Sequence, residues 1–158
     1  MGMDVFGKQA TSEVGKYFRR SAWGWHPLWD LVVDLCPWVA GCVASGHTND
    51  GYGLDAEQSA QLAAELSEML ADQTVNAYIE KRNHTLASLP DIECQWCGGT
   101  GVRTDEVGQR AGMPEKQWCN GCFGKGVQQD DRRLYQVAVE DVEEFVAFLV
   151  ASGGFEIY

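Results

Sequence analysis

Two octets in this chain, CQWCGGTG (residues 94–101) and CNGCFGKG (residues 119–126), follow one pattern, C-x-x-C-x-G-x-G. Two cysteines three apart on a tight turn can aim both sulfurs at one ion. Two such turns supply four thiolates, the tetrahedral set that Zn²⁺ prefers. The expected ligands are Cys94, Cys97, Cys119 and Cys122, with Zn–S distances of about 2.3 Å. Gly99 and Gly101 in the first turn, and Gly124 and Gly126 in the second, let the backbone curl and turn its N–H groups toward the sulfurs. Four cysteines close the coordination sphere, so the expected role is structural, with no open position for a reacting water. Spacing alone does not separate zinc from iron.

The segment between residues 94 and 128 is rich in glycine and poor in core formers, so burial alone cannot hold it folded. A structural zinc supplies on the order of 10 kcal/mol, and that binding energy becomes folding energy. A thioredoxin-like site would need a single C-x-x-C beside a βαβ pattern, which is absent. The octets resemble the cysteine-rich motif of DnaJ-type co-chaperones, which carries four such repeats and two zincs. Two repeats imply one zinc here. The resemblance covers the ligands and glycines only. The J-domain signature His-Pro-Asp is missing, because His26-Pro27 continues with Leu28, so stimulation of a chaperone ATPase is not implied. Over most of its length, from MGMDVFG and WGWHPLW through NDGYGL to GGFEI, the chain also resembles a family of small uncharacterised proteins of bacteria and their phages. That resemblance implies no activity.

Other residues have chemical potential without a defining pattern. Trp23, Trp25, Trp29 and Trp38 crowd one segment, and with Phe18 and His26 they either line a groove or form an aromatic core. The usual burial of aromatic rings favours the core. Trp96 and Trp118 either shield the metal or anchor a partner, with shielding favoured. Cys36 and Cys42 match no metal turn and read as buried free thiols. The loop around Asn49, Asp50 and Asp55 does not follow the EF-hand order. An enzyme would use the tryptophan-rich segment as its pocket and His26 as acid or base, paired with Asp30.

The elements that must position these groups read as follows. Residues 1–20 look extended or irregular, anchored by Val5, Phe6, Tyr17 and Phe18. Pro27 suits the first turn of a helix that carries Leu28, Leu31, Val32 and Leu35 and stops at Pro37. The segment ASGHTNDGYGL is a loop. Asp55 and Gln58 form a capping box for a helix with Leu62, Ala63, Leu66, Met69 and Leu70 on its buried stripe. A second helix covers residues 74–88. LYQVAV (residues 134–139) reads as a short strand. A helix over residues 140–152 buries Val142, Phe145, Val146, Leu149 and Val150, and Gly153-Gly154 ends it. FEIY then fits an edge strand.

The chain has 158 residues and a formal charge of −11. The charge is uneven: residues 54–93 carry eight acids and two bases, while residues 94–128 carry three acids and four bases. An acidic surface repels phosphate backbones, so nucleic acid is an unfavoured partner. No apolar run reaches the about 20 residues of a membrane span, and the polar N-terminal stretch has no signal-peptide core. These features predict a cytoplasmic α+β protein, mostly helical with a short strand or two. One core domain is expected from residues 1–93 and 129–158, with residues 94–128 as an inserted single-zinc module. The expected function is a non-enzymatic adaptor or modulator that binds an unknown protein. The alternatives are a DnaJ-like chaperone or thiol-exchange protein, an acidic mimic of nucleic acid that inhibits another protein, and an enzyme with the tryptophan-rich pocket.

Overall fold

Ser21 begins the first helix earlier than its proline suggests. Its hydroxyl accepts from Gly24 N–H at 3.3 Å, and helix α1 runs Ala22–Leu35 with Pro27 inside it. The ring of Pro27 gives up the bond to the Trp23 carbonyl, a loss tolerated near a helix start. Pro27, expected in the first turn, thus lies in the second. The computed structural model describes residues 2–158. Strand β1 (Gly2–Gly7) and strand β2 (Tyr17–Ser21) precede α1, so the opening expected to be extended or irregular is largely extended, an antiparallel hairpin with Val5 opposite Phe18. Strand alternation buries Met3, Val5 and Phe18 and leaves Phe6 and Tyr17 exposed, so two of the four expected anchors face solvent.

Helix α2 (Val39–Cys42) is a single turn. Helix α3 (Ala56–Ala71) begins at the expected capping box: Asp55 accepts from Gln58 N–H at 2.8 Å, and Gln58 accepts from Asp55 N–H at 3.1 Å. Helix α4 covers Thr74–Ala87. Strand β3 (Ile92–Glu93), helix α5 (Glu106–Arg110) and strand β4 (Val127–Gln128) follow. Helix α6 (Val139–Ser152) and strand β5 (Phe155–Ile157) complete the described chain. The fold is thus α+β.

Residues 134–139 do not form the expected strand. A 3-10 turn covers Asp131–Leu134 and irregular chain follows. The backbone there is engaged by side chains of α4. Arg82 donates to the Tyr135 carbonyl at 2.9 Å, and the Asn83 amide donates to the Val137 carbonyl at 2.9 Å while accepting from its N–H at 3.4 Å. Asn83 thus takes both polar groups of Val137, leaving no neighbouring strand to be sought.

The chain divides into two compact units. The first joins the chain up to Leu86 with Leu134–Tyr158. Its sheet has the order β2-β1-β5, so β5 is the edge strand its sequence predicts. Helix α6 packs against α3, and one core joins Trp25, Leu28, Trp29, Leu66, Phe145 and Phe155. Val150 is the exception on the predicted face of α6, at 68% exposure, while Phe148 takes the buried place. Arg20 fixes the start of α6 by donating to Asp141 at 2.9 Å and Glu144 at 2.5 Å, with its guanidinium 4.6 Å from the Phe18 ring centre. The second unit is Ala87–Arg133. Sixteen acids and six bases fall in the first unit, seven acids and six bases in the second. Among the described residues no helix is long and apolar enough to cross a membrane.

Candidate metal centre

The second unit has almost no apolar core. Its buried cluster consists of Cys94, Cys119 and Cys122, with Cys97 packed against them. The sulfurs of all four lie within 4.8 Å of one another. Cys94 and Cys119 are 3.9 Å apart, and Cys97 and Cys122 are 3.7 Å apart. A tetrahedron with metal–sulfur bonds of about 2.3 Å has edges of about 3.8 Å. A disulfide would need about 2.05 Å. Two of the six edges match this length and all lie within 4.8 Å, so the donor set is compatible with one tetrahedral metal ion.

The backbone makes this spacing by repeating one turn. Gly101 N–H donates to Cys97 Sγ at 3.3 Å, and Gly126 N–H donates to Cys122 Sγ at 3.2 Å. The two turns interlock through these same glycines. A Cβ on Gly101 would sit 2.6 Å from the Gly124 carbonyl, and one on Gly126 would sit 2.3 Å from the Gly99 carbonyl. The short ladder of β3 and β4 closes the base, and Cys94 N–H donates to the Gly126 carbonyl at 2.9 Å.

Four thiols this close resist ionising together. Burial and hydrogen bonds from the other sulfurs push Cys97 up to about 11, against the pull of Gly101 N–H. Burial also pushes Cys122 up, but Gly126 N–H and the other three sulfurs outweigh it and bring it to about 7. One negative charge enters readily, and further ones need a cation beside them. Arg103 supplies a fixed positive charge nearby. Its side chain is buried, donates to Asp105 at 2.7 and 2.9 Å and to Asn120 at 3.1 Å, and lies 4.1 Å from the Trp96 ring centre. This clamp was not legible in the sequence, where Arg103 and Asp105 look like ordinary surface charges.

Trp96 is 45% exposed and stacks beside Gly121, whose Cβ would meet its ring at 2.8 Å. It lies against the second turn with the Arg103 guanidinium over its ring, and the remainder meets solvent. Trp118 is half-buried, edge-on to Phe123 at 6.0 Å. Phe123 itself was missed. It is 72% exposed and holds a left-handed φ of 54°, while the equivalent position of the first turn is Gly98, also at 54°. A side chain in that conformation costs about 1–2 kcal/mol relative to glycine.

The tryptophan-rich segment of the first unit resolves mainly as core. Trp25 and Trp29 are buried and stacked at 5.4 Å, and Trp25 Nε1–H donates to the Gly46 carbonyl at 2.6 Å. Trp23 instead is 45% exposed and lies against Tyr135. His26 is half-buried against His47, with ring centres 4.8 Å apart. The expected pairing with Asp30 goes to other groups. His47 Nε2 is 3.2 Å from Asp30, and Arg82 donates to the second carboxylate oxygen at 3.0 Å. Cys36 is buried, and burial with its neighbour Glu65 pushes its thiol up to about 12. Cys42 is exposed, correcting its expected burial. His26, Cys36 and Cys42 do not join a metal group, and the four-cysteine cluster is the sole such group among the described residues.

No protein-family model matches this chain, and comparison with curated proteins and with solved structures finds no match. The four clustered cysteines, a group able to hold one metal ion, are the chemistry on which a functional reading rests.

Proposed function

We propose that this chain is a zinc protein without catalytic activity of its own, and that its metal-braced unit serves as an adaptor for another protein. The carrying observation is the closed set of four sulfurs at tetrahedral spacing. Such a set leaves no open position for substrate or water, and zinc with four cysteines is its commonest use. Exposed Phe123 and Trp96 on the same unit supply the kind of aromatic surface that partners use as anchors. The cysteines of three ligand positions are buried, which argues against disulfide exchange as the main role. The reading puts the protein in a reducing compartment such as the cytoplasm, where thiols persist. It also keeps membership of the small bacterial and phage family as part of the proposal.

Elemental analysis of the purified protein tests the metal, with one zinc per chain expected. Pull-down from host lysate, compared with Cys97→Ser, tests the adaptor role. A partner retained by the wild type and lost by the variant is expected. A zinc-free folded protein, or turnover of a substrate with no partner recovered, overturns the reading.

A further inference from the structure

A cleft of about 410 Å³ opens in the first unit, walled by α1, α4 and the chain that follows α2. Its volume lies in the range in which proteins hold small molecules. Trp29, Asp30, Val33 and Asp34 line it from α1 at positions i, i+1, i+4 and i+5, a single helical face.

Trp29 is 2% exposed, and its Nε1–H has no acceptor among the described residues. The indoles of Trp25 and Trp38 each have one, the Gly46 carbonyl at 2.6 Å and Glu65 at 2.8 Å. A buried donor without a protein acceptor calls for an oxygen from outside the chain. Gly46 packs on this edge of the ring, where a Cβ would sit 1.9 Å from Nε1. Its backbone is not left-handed, so only the close approach to Trp29 requires glycine there. The Ser45 hydroxyl, half-buried in the same wall, is a second donor without a partner among the described residues.

The two carboxylates of the cleft differ. Asp30 is met by Arg82 at 3.0 Å and by His47 at 3.2 Å. Asp34 accepts from the Tyr78 hydroxyl at 2.5 Å and has no ion pair among the described residues. Arg82 is engaged by Asp30 and by the Tyr135 carbonyl, and Lys81, in the adjoining hollow, pairs with neither aspartate. Asp34 is also exposed, so a ligand can reach it. The surrounding unit carries sixteen acids and six bases, and its field draws cations and repels anions. Val33, Val43 and Ala44 add a small apolar wall.

We infer that this cleft binds a small aliphatic amine that also carries a carbonyl oxygen, either as a free molecule or as the first residue of a peptide. Asp34 holds the ammonium. Trp29 Nε1–H and the Ser45 hydroxyl donate to the carbonyl oxygen, and the alkyl group lies against Val33 and Val43. This adds a second site to the adaptor reading and does not rest on it.

The test uses full-length, isotopically labelled protein at neutral pH, titrated with leucinamide and followed by NMR. The Trp29 Nε1–H resonance and the amides of residues 43–47 are expected to shift, while the Trp38 indole, already bonded to Glu65, stays in place. Isocaproamide, which lacks the ammonium, is expected to bind about tenfold more weakly, and isopentylamine, which lacks the carbonyl, is expected to leave the Trp29 resonance unmoved. Asp34→Asn is expected to lose about tenfold for leucinamide and nothing for isocaproamide, and Ser45→Ala to lose about threefold for leucinamide. Leu-Gly-Gly amide separates the two sources: binding as tight as leucinamide assigns a peptide N-terminus, and weaker binding a free small molecule. No Trp29 shift at millimolar leucinamide, equal binding of isocaproamide, unchanged leucinamide affinity in either variant, or tighter binding of inorganic phosphate at the same resonances each overturns the assignment.

Discussion

Removing the metal should unfold Ala87–Arg133 and leave the other unit standing. The buried side chains of this unit, apart from its cysteines, are those of Arg103 and Asp130, both polar. No cluster of leucine, valine or aromatic residues stands behind them. Ordering each residue costs about 1–2 kcal/mol of backbone entropy, and a core of four sulfurs buries too little apolar surface to offset this. A four-thiolate zinc contributes on the order of 10 kcal/mol, enough to decide the state of so small a unit. The first unit has its own aromatic core and needs none of this energy. The assay is an amide NMR spectrum before and after a strong chelator under reducing conditions. Signals of residues 94–126 should collapse to random-coil positions, while those of α3, α6 and the three-stranded sheet hold their dispersion. Cys97→Ser should give the same split pattern at limiting zinc. Dispersed signals for residues 94–126 in metal-free protein would refute the argument, and so would simultaneous loss of both units.

Replacing Ala87–Arg133 with a short glycine-serine linker should leave the first unit folded, since Arg82 and Asn83 already tie α4 to residues 135–137; circular dichroism and a melting curve within a few degrees of the parent would bear this out. Arg20→Ala should cost about 1–2 kcal/mol in denaturant unfolding, from the lost pairs to Asp141 and Glu144 and the lost packing on Phe18. Burial first, and then the facing His47, hold His26 below its ordinary value, with Asp30 pulling the other way. A histidine depressed in the folded state takes up its proton more readily when unfolded. Its stability contribution is therefore full above about pH 6.5 and falls as pH drops below that value toward the folded one. His26→Gln should flatten that part of the stability–pH profile, and an unchanged profile would remove His26 as its source.

The parts of this fold that could be read from sequence are those whose signal is local. The Asp55–Gln58 box and the leucine stripe behind it specify α3 within a few residues, and the cysteine octets specify their own geometry. The misreadings arise where a distant group decides. Residues 134–139 alternate like a strand, but Asn83, far away in the chain, claims the backbone of Val137. Pro27 looks like a first-turn residue because Ser21, which caps the helix, is separated from the leucines by two tryptophans. Phe6 and Tyr17 are as apolar as Val5 and Phe18, and only the pairing register decides which face they occupy. Arg103 and Phe123 were hidden for another reason: a buried clamp and a strained, exposed ring are visible only once the turn exists.

The sheet order β2-β1-β5 has a consequence for synthesis. The central strand is translated first, and one of its neighbours is translated after every helix. On the ribosome, β1 and β2 can meet early, but one edge of β1 stays open until residues 155–157 emerge. The cysteine unit lies wholly within the interval. If the four cysteines take the metal proposed for them, they can do so while the larger unit is still waiting, so metal supply and strand closure would act at separate moments of the nascent chain's life.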